Sequence, residues 1–161
     1  MVVRIHPEVP LGDFEVKWVK VNGRIMYDPK RDDLRKEERN TPWWVIAQLT
    51  GRDLEDFSDY YRWILRMRGI GMIQMPAWKP HVTILDGRYP VANTYLPAWK
   101  KHDGELIQFE YGVDIYKQWK FWVLPVRCAY FDEIRKELGF NETYPYHITV
   151  GREYELPKKK G

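Results

Sequence analysis

Two tripeptides of the same pattern, His81-Val82-Thr83 and His147-Ile148-Thr149, lie 66 residues apart. Histidine is the side chain whose ordinary pKa lies nearest neutrality, so a pair can offer a neutral base and a protonated acid together. Displacement at a phosphodiester asks for both: one imidazole removes a proton from the attacking hydroxyl, and one imidazolium protonates the departing oxygen. In-line geometry sets the two on opposite sides of the phosphorus. Threonine hydroxyls beside them, with local backbone amides, can donate hydrogen bonds to the non-bridging oxygens as charge builds. A lone histidine on a strand more often fills a core or surface position. The repetition changes that weighing: with 4 His and 6 Thr in 161 residues, two such tripeptides arise by accident in roughly one comparable sequence in a hundred.

The remaining candidates are weaker. Lys79 shares the face of His81 if the strand begins there, and could attract phosphate or simply face solvent. Trp99, beside Lys100-Lys101, could stack on a base as part of a lid, or pack its loop onto the body. His6 and His102 lack the context and are assigned no chemistry. Each His-x-Thr supplies one nitrogen per strand, with no carboxylate at the i+2 position, so neither a metal site nor a cofactor is expected. Cys128 is the single cysteine. It cannot form an internal disulfide and reads as a small buried hydrophobe rather than a nucleophile.

The elements that must position these residues follow from periodicity. Phe14 to Val21 alternates, and Asn22-Gly23 followed by Arg24 to Tyr27 predicts a hairpin. Lys30 to Arg39 reads as a solvated loop or short helix. Trp43 to Leu49 suits a buried strand. Asp53 is positioned to cap a helix carrying Phe57, Tyr61, Ile64 and Leu65, which stops at Gly69. A short apolar stretch spans Ile70 to Met75, and Lys79 to Leu85 is a strand. Arg88 to Gly104 is a long loop. Leu106 to Tyr116 and Trp119 to Arg127 are consecutive strands, a helix follows to Leu138 with a Gly139 stop, and Tyr146 to Tyr154 is the last strand. The order predicts an α+β protein of two similar halves with largely antiparallel pairing.

Two HxT motifs on strands of two α+β halves resemble the 2H phosphoesterase superfamily. That group includes RNA 2′,3′-cyclic phosphodiesterases (2′-5′ ligase-like) and eukaryotic cyclic nucleotide phosphodiesterases. The resemblance spans about residues 43 to 154. It implies two pseudo-symmetric lobes, about 43–87 and 105–154, flanking a central cleft within a domain of residues 43–157. Residues 1–42 would be an N-terminal hairpin or extension, and 158–161 a basic tail. Carried over, it makes His81 and His147 the acid–base pair and Thr83 and Thr149 the phosphate-oxygen donors, in a metal-independent phosphodiesterase. The short spacing between motifs is similar to the compact phage branch that degrades cyclic oligonucleotides of bacterial antiphage (CBASS) signalling. The alternatives are an RNA 2′,3′-cyclic phosphodiesterase or 2′-5′ RNA ligase-like enzyme, and a non-catalytic module binding an RNA end or nucleotide.

Composition sets the outer limits. A chain of 161 residues and 19.5 kDa, 44% hydrophobic and 30% charged, has the means to fold as one domain or two small lobes. A net charge of +3 fits an anionic partner such as a small nucleotide or RNA end, but is too weak for wrapping duplex DNA. The longest apolar run, Phe121 to Val126, falls far short of the roughly 20 residues of a membrane span. The N-terminus lacks the apolar core of a secretory signal, so the expected location is the cytoplasm, of a host if the chain is phage-encoded. Nothing in these patterns indicates an oligomeric state.

Overall fold

Alternating burial along the chain produces an antiparallel sheet and two amphipathic helices. The computed structural model describes residues 17–29, 42–51, 54–76 and 79–154, without the side chains of 54–56. In chain order the elements are β1 (Trp18–Tyr27), β2 (Trp44–Leu49), α1 (Leu54–Met67), β3 (Ile73–Gln74) and β4 (His81–Asp86). A short 3-10 helix (Asn93–Ala98) precedes β5 (Leu106–Gly112), β6 (Tyr116–Gln118), β7 (Phe121–Arg127), α2 (Ala129–Glu137) and β8 (His147–Glu153). No helix among the described residues is long and apolar enough to cross a membrane.

The expected hairpin at Asn22-Gly23 is not formed. These residues run through the middle of the ten-residue strand β1, paired on both edges, with Gly23 opposite Leu49 on β2 and Ile107 on β5. A Cβ on Gly23 would lie 2.8 Å from Cε1 of Phe109. The glycine therefore makes room for an aromatic ring rather than reversing the chain. Residues 18–27 of the expected extension are thus a central strand of the sheet. The other departures are local. Residues 106–116 break at the buried Val113 and Ile115 into β5 and β6, β4 begins at His81 rather than Lys79, and the 88–104 loop contains the 3-10 helix. The expectations for Phe14 to Val16, Lys30 to Arg39, the Asp53 cap and the 158–161 tail lie outside the described residues.

Among the described residues every strand pairing is antiparallel, in one eight-stranded sheet ordered β3-β8-β4-β2-β1-β5-β7-β6, with β8 also pairing β7. That last pairing joins β1, β2, β4, β8, β7 and β5 into a closed circuit. Two of its seams are thin. β4 meets β8 at the single pair Val82–Ile148, and β5 meets β7 at Glu110–Arg127 and Tyr111–Val126. The molecule is therefore an α+β fold built on one continuous antiparallel sheet.

Two strand-helix-strand segments lie within it: β2-α1-β4, with the short β3 between helix and last strand, and β7-α2-β8. Each helix stops the same way. Gly69 (φ 87°) and Gly139 (φ 89°) are left-handed, which glycine adopts without Cβ strain. Their N–H groups donate to Arg66 and Lys136 carbonyls, while those of Ile70 and Phe140 reach back five residues to Leu65 and Arg135. These are the paired bonds of a Schellman stop. The helices then cross over: α1 packs against β8, and α2 against β4. Buried Phe57, Tyr61, Ile64 and Leu65 from α1, and Phe131, Ile134 and Leu138 from α2 and its stop, form one core with the sheet.

Candidate active site

The antiparallel ladders set the histidines in place. A row of directly opposed residues, Ile25, Ala47, Val82, Ile148 and Leu124, crosses β1, β2, β4, β8 and β7, and all five are 0% exposed. Successive residues on a strand point to opposite faces, so the positions flanking this row face away from the core. Moving one residue each way from Val82–Ile148 sets His81 opposite Thr149 and Thr83 opposite His147. All four are half-buried on the face opposite that row, and His81 and His147 stand on a diagonal of one strand pair. Diagonal neighbours on paired strands are spaced by about 7–8 Å at the backbone, so the two imidazoles rise from adjacent positions on one face of the sheet.

The local framework of the two motifs is the same. His81 Nδ1 lies 2.7 Å from the Lys79 carbonyl, and His147 Nδ1 lies 2.9 Å from the Pro145 carbonyl. A carbonyl only accepts, so each Nδ1 carries the proton and donates it. With Nδ1 as the donor, Nε2 is the lone-pair nitrogen of the neutral ring and an N–H donor in the charged one. The residue before each histidine anchors it to the partner strand: Leu49 N–H donates to the Pro80 carbonyl, and Val126 N–H to that of Tyr146. Beyond each threonine the ladder shifts register, as Thr83 faces Ile46 and Leu85 faces Val45, while Thr149 faces Val123 and Gly151 faces Trp122. The extra residues, Ile84 and Val150, are both 0% exposed.

At Ile84 the irregularity has a partner in the opposite unit. Buried Arg135 on α2 donates from Nη1 to the Ile84 carbonyl at 2.9 Å, and its guanidinium lies 4.5 Å from the Tyr144 ring centre. Tyr146, immediately before His147, donates to Asp132 Oδ1 at 2.8 Å. Burial, then that carboxylate, pushes its phenol well above the ordinary tyrosine range.

The other candidates fare differently. The Lys79 side chain is exposed ahead of β4, and its carbonyl, a contribution sequence reading missed, orients His81. Trp99 is half-buried and wedged edge-on between Tyr27 and Trp43, 5.0 Å from each ring centre; it packs the loop onto the body. Cys128 is half-buried, and burial raises its thiol pKa, which disfavours the nucleophilic thiolate. His102 is occupied at both nitrogens, Nδ1 at 3.0 Å from Glu105 and Nε2 at 2.8 Å from Glu137, tying the loop to α2. Among the described residues, no three His, Cys, Asp or Glu side chains converge to hold a metal ion.

Sequence reading also missed Gln48, directly opposite His81. The available signal was a polar residue inside the apolar run Trp43 to Leu49. Comparisons with protein-family models, curated proteins and solved structures found no match.

Proposed function

We propose that this protein is a phosphodiesterase of the 2H type, acting on a small nucleotide phosphodiester through His81 and His147 without a metal ion. The observation that carries the reading is the pair of imidazoles on either side of the Val82–Ile148 bridge, each with Nδ1 tied to the carbonyl two residues upstream, which makes Nε2 the nitrogen that would exchange the proton. Duplicated strand-helix-strand units supply a physical basis for two-sided attack. The favoured substrate class is a cyclic oligonucleotide. There the ribose 2′-oxygen adjoining the scissile phosphate attacks phosphorus, and its proton passes to Nε2 of one histidine. The P–O5′ bond breaks, and the other histidine protonates O5′, leaving a linear product with a 2′,3′-cyclic phosphate. On an RNA terminal 2′,3′-cyclic phosphate, water takes the place of the 2′-hydroxyl and one ring oxygen leaves. Thr83 and Thr149 donate to the non-bridging oxygens in either case.

The test is turnover in EDTA of cyclic dinucleotides, cyclic trinucleotides and RNA ending in a 2′,3′-cyclic phosphate. Linear products from the cyclic oligonucleotides are expected. Turnover confined to the RNA end would assign the alternative substrate, binding without turnover would make the protein a nucleotide-binding module, and activity abolished by chelation would overturn the two-histidine mechanism.

A further inference from the structure

The row containing His81 continues away from β8. Gln48 on β2 stands directly opposite His81, Arg24 on β1 opposite Gln48, and Leu106 on β5 opposite Arg24. Because facing residues share a side of the sheet, these side chains lie on the histidine face. Their exposure agrees: Arg24 is exposed, Gln48 and the adjacent Met26 are half-buried, and Leu106 is 62% exposed. On the opposite side of the motifs, β7 offers Pro125 opposite His147 and Val123 opposite Thr149. The two threonines have matching apolar neighbours, Ile46 and Val123, and the face differs at the histidines, with Gln48 and then Arg24 beyond His81 but Pro125 beside His147.

We propose that Gln48 and Arg24 form a subsite for the nucleotide adjoining the reacting phosphate, so that the preferred substrate is an oligonucleotide rather than a mononucleotide; this rests on the phosphodiesterase reading above. Arg24 lies two strands from His81, about 10 Å at the backbone, a span bridged by one nucleotide and a long side chain. Its Nη1 donates to the Gly104 carbonyl at 3.3 Å, which orients the guanidinium and leaves other N–H groups for a second phosphate. The Gln48 amide can both donate and accept, as a ribose hydroxyl or base edge requires. Leu106 and Met26 flank the arginine with apolar surface on which a base can lie.

The experiment compares kcat/KM on a mononucleoside 2′,3′-cyclic phosphate with that on a dinucleotide bearing the same cyclic end and one further phosphodiester. Wild type should favour the dinucleotide. Arg24→Ala should lower kcat/KM on the dinucleotide by about ten- to a hundredfold, the scale of a lost charge-assisted hydrogen bond, and leave the mononucleotide within about twofold. Gln48→Ala should lower the dinucleotide rate in the same selective way. Equal losses on both substrates, or no loss from Arg24→Ala, would overturn the subsite while leaving the phosphodiesterase reading intact. Where the wild type turns over cyclic dinucleotides alone, Arg24→Ala is read on those, and an unchanged kcat/KM there would likewise overturn the subsite; no turnover of any of these substrates by the wild type would overturn both readings.

Discussion

At the scale of single residues, orientation matters as much as identity. The Nδ1–H bonds to the Lys79 and Pro145 carbonyls hold each imidazole in one tautomer, so the two rings differ in task only by the proton on Nε2. In the mechanism proposed above, removing either ring removes one of two proton transfers. His81→Ala and His147→Ala should each lower kcat by at least about a hundredfold, the usual scale for an acid–base group, with circular dichroism unchanged. Near-normal rates in either variant would defeat the mechanism. The threonines make a separate prediction. Valine preserves their branched shape on the strand but removes the hydroxyl, so Thr83→Val and Thr149→Val should lower kcat about tenfold or more while KM changes little. Weakened binding at unchanged kcat would mean that the hydroxyls hold the ground state rather than the developing charge.

Among the elements, the site depends on how each helix supports the opposite unit. The shift in the β2–β4 ladder takes the Ile84 carbonyl out of regular pairing, and Arg135 on α2 supplies the buried donor it needs. Arg135→Met, similar in length but without N–H groups, should lower unfolding free energy by about 1–3 kcal/mol, the cost of an orphaned buried acceptor. Denaturant melts measure this, and an unchanged midpoint would show that the carbonyl finds another partner. Such a cross-unit bond has no local signature, whereas the HxT motifs, the Gly69 and Gly139 stops and the apolar stripes were legible because period and spacing encode them. The Asn22-Gly23 reading failed for the converse reason. A turn dipeptide was overridden by pairing on both edges and by the Phe109 ring above Gly23. The register that sets Gln48 and Arg24 in line with His81 is a property of three strands together, so neither residue stood out from the chain alone.

For the molecule as a whole, β4 and β8 share a single bridge, and beyond their ladders to β2 and β7 the two HxT strands are braced by the helices packed on them, α1 on β8 and α2 on β4. Tyr61 on α1 donates to the Tyr111 hydroxyl on β5 at 3.2 Å, and Tyr146 donates to Asp132 on α2. Burial is the first cause raising the pKa of both, and it pushes that of Tyr27 up to about 12. In the unfolded chain these phenols ionise near pH 10. Above that pH the folded state holds more protons than the unfolded one, so stability falls as pH rises. Below it both states are protonated, and the tyrosines leave stability independent of pH. Denaturant midpoints should therefore decline steeply from about pH 10 upward. The buried fraction of the tyrosinate absorbance should appear together with loss of the circular dichroism signal, and activity should vanish in the same transition as the β4–β8 seam opens. If all the tyrosines titrated near pH 10 with the fold and turnover intact, the phenols would not be what fastens the helices to the sheet.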